Sequence, residues 1–384
     1  MNTVAYQKDE KAFRETSHVN NIQPLGHTKR LLVRSAVGIF TEVKDGNLDD
    51  QTSQGASVRI MVDELGNRYI IKLAEKERGY NHLLQQAHRM QHLKATGVDI
   101  VPDLIDLSIK KNQIYFIMPF IEGVSGYKAF FGKNESDSKF LSRFSSLILQ
   151  LNTRLWIKGK TSTEGKHFSK RQEYVVDRGI RTIEVAVDER LQLENSFLFL
   201  NGEKIPNLRE LLIRIKGLSG TLDEMLSACQ IPGNTHGDLH FDNMFIDSDD
   251  NVMLFDVNGS PERKKSIIEF EISRLFMSFY REIIMRKYYD ANFNQDGAIQ
   301  TNISAKGEDI LRKRQLAYEM IFSHPEMSSW FIDKEKSKKI TQFMEALHLV
   351  TVFASRPKGE KNATYLFGTK LLADALKEMD NEHR

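Results

Sequence analysis

With 384 residues, the chain is long enough for one large domain or two lobes, and 40% hydrophobic with 28% charged residues is ordinary for a globular protein. A formal net charge of +2 offers no clustered positive field, so neither a nucleic acid nor a membrane surface is expected as a partner. Cys229 is the only cysteine, which excludes an internal disulfide and a multi-cysteine zinc site.

The N-terminal MNTVAYQKDEKAFRETSH lacks the apolar core of a signal peptide. The longest largely apolar run, Ile114 to Ile121, is too short to span a bilayer, so a cytoplasmic protein is expected. Residues 1–30 are polar with scattered charges and read as an arm or a short peripheral helix. Leu31 to Phe40 reads as a strand, and Thr41 to Gln54 as a polar loop. Val58, Ile60 and Val62 alternate with Arg59 and Met61, the turn Glu64-Leu65-Gly66-Asn67 follows, and Arg68 to Leu73 resumes, which predicts a β-hairpin. Lys72 sits among apolar neighbours in its second strand; the stem of such a lysine can cover apolar surface while the head reaches water.

Leu83, Leu84, Ala87, Met90 and Leu93 at helical spacing predict a helix over Lys76 to Thr96, stopped by Gly97. Leu104 to Ile109 and Ile114 to Phe120 predict a second hairpin across Lys110 to Gln113, and Glu122-Gly123 breaks the pattern. From Tyr127 to Ile231 the chain reads mostly as helices: Lys139 to Trp156, Gln172 to Leu193, and Leu208 to Cys229 with a break at Gly217 to Gly220. Thr161 to Lys170, rich in Lys and Ser, reads as an exposed loop.

The stretch THGDLHFDNMFIDSDDNVMLFDVNGS, Thr235 to Ser260, holds the chemistry. Asp238 and Asn243 precede one short strand, the turn Asp247 to Asn251 follows, and Asp256 ends the apolar run Val252 to Phe255. A hairpin brings its outer ends together, so these three oxygen-bearing side chains are expected to converge. Mg²⁺ bound with a nucleotide takes one or two such protein ligands and fills its remaining positions with phosphate oxygens and water. Between Gly217 and Glu262 there are nine acidic residues and no Lys or Arg, which favours a cation nearby. Asp238 is the candidate base and Asn243 a metal ligand, because their spacing of five matches the kinase catalytic loop. His236 is expected to orient that loop rather than transfer protons, and Asp249 and Asp250 to be solvated turn residues.

HGDLHFDN followed by LFDVNG resembles the catalytic and metal-binding segments of the aminoglycoside phosphotransferase and choline kinase-like family, small-molecule relatives of the protein kinases. His236, Gly237, Asp238, Leu239, His240 and Asn243 carry the match, while Asn258 departs from the protein-kinase Asp-Phe-Gly pattern. The resemblance implies that Lys72 pairs with nucleotide phosphates and that Ser53 and Gly55 belong to the loop covering them. It places Gln86 where protein kinases carry a glutamate that pairs with the strand lysine; an amide can hydrogen-bond that lysine without neutralising it, and Glu75 or Glu77 is the alternative counter-charge. It also implies an adenine hinge over Phe116 to Gly123, with Pro119 supplying a carbonyl and Ile121 an N–H. An edge strand ending in a turn fits that segment as well. Asn243 and Asp256 become Mg²⁺ ligands with ATP as phosphoryl donor, and Glu271 falls in the acidic position after the metal motif with a structural role.

Glu269 to Tyr280, apolar at Ile272, Leu275, Phe276 and Phe279, predicts an amphipathic helix. Gly307 to Met379 reads as largely helical, with Trp330 and Phe331 packing the core. The expected fold is α+β and protein-kinase-like with two lobes: a polar arm over 1–30, a sheet-rich nucleotide-binding lobe over 31–122 and a helical catalytic and substrate lobe over 123–384. The expected activity is ATP-dependent phosphorylation of a hydroxyl on a small molecule such as an amino sugar or amino alcohol. From Phe131 onward there are 37 basic and 37 acidic residues, so no overall acidic bias selects a polycationic acceptor, and the sequence leaves the oligomeric state open. The alternatives are a protein kinase, a nucleotide-binding regulator without catalysis, or a helical interaction protein.

Overall fold

The computed structural model describes residues 21–25, 30–35, 37–43, 56–110, 113–132, 135–157, 175, 179–181, 184, 197–258, 266–293, 299–352 and 358–380. The chain divides into two compact units, residues 1–123 with 253–264, and residues 124–252 with 265–384.

The first unit is built on a sheet of seven strands: β1 (Asn21–Leu25), β2 (Arg30–Ser35), β3 (Gly38–Glu42), β4 (Ala56–Val62), β5 (Arg68–Ala74), β6 (Asp106–Lys110) and β7 (Gln113–Pro119). Their order is β1-β2-β3-β4-β5-β7-β6, and every pairing is antiparallel. Both predicted hairpins are present, because alternating apolar residues bury one pleat face. That face carries Val33, Phe40, Met61, Ile71, Leu73, Tyr115 and Ile117 as one core cluster. Two expectations change here. Leu31 to Phe40 is not one strand but parts of two, β2 and β3, since the chain reverses before Gly38 and pairs Ser35 with it. Within the polar arm, residues 21–25 form β1, where main-chain pairing with β2 makes a strand of a sequence without apolar alternation.

Helix α1 (Glu77–Ala95) buries Leu83, Leu84, Ala87, Met90 and Leu93, the predicted apolar stripe. It ends in a Schellman motif: Gly97 N–H donates to the Lys94 carbonyl at 3.0 Å and Val98 N–H to the Leu93 carbonyl at 3.0 Å.

The second unit starts with β8 (Val124–Ser125), α2 (Gly126–Phe131) and α3 (Asp137–Arg154). Next come the strands β9 (Phe197–Leu200) and β10 (Glu203–Pro206), then α4 (Leu208–Gly217) and α5 (Ser219–Ser227), which flank the expected break. The β9–β10 hairpin corrects the helical reading of Tyr127 to Ile231. Its two-residue loop, Asn201 at φ 49° and Gly202 at φ 80°, is the Asn-Gly turn that suits the twist of paired strands. The expected helix over Gln172 to Leu193 and the loop over Thr161 to Lys170 lie largely or wholly outside the described residues.

A 3₁₀ turn at Phe241–Asn243 leads into β11 (Met244–Ile246), which pairs with β8, and β12 (Val252–Leu254) follows the turn as expected. Helix α6 (Ile268–Met285) is buried on nearly all sides. Strands β13 (Tyr289–Phe293) and β14 (Ile299–Ile303) extend the β9–β10 hairpin into a four-stranded sheet ordered β10-β9-β14-β13. Helices α7 (Ala305–Ser323), α8 (Pro325–Ser328), α9 (Lys334–Val352) and α10 (Lys358–Asp380) complete the unit, with Trp330 and Phe331 buried as anticipated. Among the described residues, no helix is long and apolar enough to cross a membrane.

Candidate active site

In the first unit, Lys72, Gln86 and Asp256 meet. Lys72 lies opposite Phe116 in the β5–β7 ladder and points to the pleat face away from Ile71 and Leu73, with its ammonium 6.0 Å from the Phe116 ring. The head does not reach water: Lys72 is only 6% exposed, and its Nζ is ion-paired with Asp256. Gln86 Oε1 accepts from Lys72 Nζ at 3.2 Å, and Gln86 Nε2 donates to Asp256 Oδ1 at 3.2 Å. Burial by itself pushes the Lys72 ammonium down to about 7; the contacting carboxylate works against that shift and favours the charged form. Asp256 adopts φ 52°, a left-handed conformation that Asp tolerates better than most residues, and its side chain is 42% exposed.

The expected hinge follows β7 in the same unit. Phe120 N–H donates to the Arg68 carbonyl at 3.1 Å, which makes Arg68 and Phe120 a hydrogen-bonded pair and leaves Tyr69 and Pro119 a non-hydrogen-bonded one. Proline therefore costs the β5–β7 ladder nothing at 119. With Phe120 committed, Ile121 is the next main-chain donor along the segment. Ser53 and Gly55 lie outside the described residues.

In the second unit, one stripe of α6 grips the loop His236 to Asp242. Glu271 accepts from the N–H of His236 at 2.7 Å and of Gly237 at 2.9 Å. Gly237 at φ 82° supplies the left-handed step that lets both N–H groups face one carboxylate. Arg274 Nη2 pairs with Asp238 Oδ1, Phe241 N–H donates to Ser278 Oγ at 3.0 Å, and Arg281 pairs with Asp242 at 2.7 Å. His236 is fully buried and its Nδ1 accepts from the Asp238 N–H at 3.2 Å, the orienting role expected of it. Phe241 anchors the loop from below, stacked on Phe130 at 4.8 Å and edge-on to Phe279 at 5.5 Å.

Asn243 Nδ2 donates to the Asp238 carbonyl at 2.9 Å, so the two residues belong to one turn, and Asn243 Oδ1 takes no part in that bond. Desolvation works to raise the Asp238 carboxyl, yet Arg274, with His240 Nε2 3.5 Å from its other oxygen, holds it well below the usual carboxylate range. Asp238 is therefore an ionised acceptor at neutral pH. Sequence reading left Arg274, Ser278 and Arg281 unassigned. Their signal was polar residues at i, i+3, i+7 and i+10 from Glu271 in a helix whose other residues are mostly apolar.

A strand lysine tied to an aspartate and a His-Gly-Asp loop seated on a buried helix are held by an α+β fold. The sequence profile of the phosphotransferase enzyme family matches residues 51–258, more than half of the 384. The chain belongs to that family and is a kinase. No curated protein matches it. Among solved structures it resembles a protein described as a fructosamine-3-kinase from Haemophilus somnus 129PT, with 12% identity over 85% of this chain and 90% of the other, at a TM-score of 0.46. An aminoglycoside phosphotransferase, APH(3'')-Id from Streptomyces rimosus, shares 15% identity over 75% of this chain and 94% of its own, at 0.40. An amicoumacin kinase shares 10% over 97% and 96%, at 0.45. The family assignment rests on the 51–258 match.

Proposed function

We propose that the chain transfers the γ-phosphoryl group of ATP to a hydroxyl of a small molecule, with an amino sugar, an amino alcohol or a related metabolite as acceptor. The observation that carries the reading is the turn in which Asp238, held ionised by Arg274, is tied through its own carbonyl to Asn243. Asp238 orients the acceptor hydroxyl and takes its proton as the new P–O bond forms and the bond to the β-phosphate breaks, releasing ADP. Lys72 binds phosphate oxygens, the loop at Ser53 and Gly55 covers them, and Pro119 and Ile121 offer the adenine a carbonyl and an N–H.

Mg²⁺ suits the donors available. Asp256 presents a partly exposed carboxylate and Asn243 an amide oxygen, both hard ligands of the kind this cation takes alongside phosphate oxygens. When bound, the ion neutralises charge on the phosphates. The residues' own work is positioning: Lys72 fixes the nucleotide and Asp238 fixes the acceptor.

The test is Asp238→Asn, assayed for ADP release with Mg-ATP against a panel of amino sugars and amino alcohols. Nucleotide binding is expected to persist while turnover falls by about a hundredfold or more. Wild-type turnover in the variant would remove Asp238 from the chemistry. Nucleotide binding without transfer to any acceptor, in wild type as well, would favour a nucleotide-binding regulator.

A further inference from the structure

Taking the nucleotide reading above as its basis, we infer that Gln86 is a positioning residue that bridges Lys72 and Asp256 and thereby sets how strongly nucleotide binding depends on Mg²⁺. Gln86 is 2% exposed on the inner face of α1, with its amide between the two charged groups. Only a side chain with both a donor and an acceptor can do this. The amide oxygen accepts from the ammonium while the amide nitrogen donates to the carboxylate.

A glutamate at 86 would accept from Lys72 but has no proton for Asp256, and it would set a second negative charge against that carboxylate. An apolar residue would serve neither partner. With an amide in place, Asp256 is the counter-charge that Lys72 has in this contact, and the same oxygen, Oδ1, meets both Lys72 Nζ and Gln86 Nε2. A cation that takes Oδ1 competes with both donors for that oxygen. Lys72 finds a new partner in the phosphates when nucleotide binds; Gln86 Nε2 gains none from that exchange. The glutamine therefore restrains the metal ligand, and the affinity gained from Mg²⁺ is smaller than an unrestrained Asp256 would give.

The decisive variant is Gln86→Met, which keeps the length and removes the bridge without adding charge; Gln86→Glu is its companion. The readout is the ratio of the ATP dissociation constant in EDTA to that in saturating Mg²⁺, by calorimetry on the full chain. Loss of one hydrogen bond to a charged group should raise this ratio about tenfold in Gln86→Met, and Gln86→Glu should raise it further. A ratio in folded Gln86→Met equal to or below wild type overturns the bridge, even if Gln86→Glu rises, because added charge would then be the cause. If wild type binds no ATP either in EDTA or in saturating Mg²⁺, the nucleotide reading falls and this role falls with it.

Discussion

At the scale of single residues, one five-residue device recurs among the described residues. In Asp63-Glu-Leu-Gly-Asn67, Asp63 accepts from the N–H of Leu65 at 2.9 Å and of Asn67 at 2.8 Å, and from the Asn67 amide at 2.8 Å. In Asp247-Ser-Asp-Asp-Asn251, Asp247 accepts from the N–H of Asp249 at 2.9 Å and of Asn251 at 2.8 Å, and from the Asn251 amide at 3.0 Å. The fourth position is left-handed in both, Gly66 at φ 85° and Asp250 at φ 59°. Asp250 is more than the solvated residue expected of it. Arg143 Nε lies 3.1 Å from its carboxylate, and Gln150 Nε2 donates to its carbonyl at 2.8 Å. Hydrogen bonds, the Asn251 side chain first, hold the Asp247 carboxyl below its ordinary range. Asp247→Ala should therefore cost about 1 kcal/mol by urea denaturation, against less than about 0.5 for exposed Asp249→Ala. A group whose folded pKa is depressed stabilises above its unfolded value, so the difference should be full at neutral pH and fade as pH falls below about 3.9. Equal costs for the two variants would refute the turn as a built element.

At the scale of elements, α6 carries the loop His236 to Asp242. Glu271, Arg274, Ser278 and Arg281 fall on one stripe because 3.6 residues per turn aligns i, i+3, i+7 and i+10, and each meets a successive part of His236 to Asp242. The rest of the helix packs mostly apolar residues, with Phe276 and Phe279 in the aromatic cluster that also holds Phe144. Glu271, fully buried near the helix start, is the costliest member to alter. Glu271→Gln replaces a carboxylate accepting two N–H bonds by an amide that presents one oxygen and a buried donor. A loss of about 2 kcal/mol or more is expected in the denaturant midpoint analysis. A change below about 0.5 kcal/mol would mean that the loop holds its shape without α6.

At the scale of the whole molecule, what could be read from the sequence was what is local in it. The Asp238-to-Asn243 turn, the β4–β5 and β6–β7 hairpins and α1 each carry their signal within a few residues. The β9–β10 hairpin carried one too, in Asn201-Gly202, but it lay between helical patterns that dominated the reading. The stripe on α6 was harder, since its polar positions gain meaning only from a loop 35 residues earlier in the chain, as the contact of Glu271 with His236 shows. The pairing of Lys72 with Asp256 spans 184 residues and depends on the return of residues 253–264 to the first unit. That return makes Asp256→Ala an informative variant, because it removes a proposed metal ligand and leaves the buried Lys72 without this carboxylate. Its unliganded melting temperature should fall for the second reason alone, so the shift on adding Mg-ATP carries the meaning. Ligand at 100 times its dissociation constant stabilises the folded state by about 2.7 kcal/mol, and wild type should melt correspondingly higher. In Asp256→Ala the shift with Mg-ATP should shrink to that seen with ATP in EDTA. An Mg²⁺-dependent shift as large as that of wild type would show that the cation is held elsewhere.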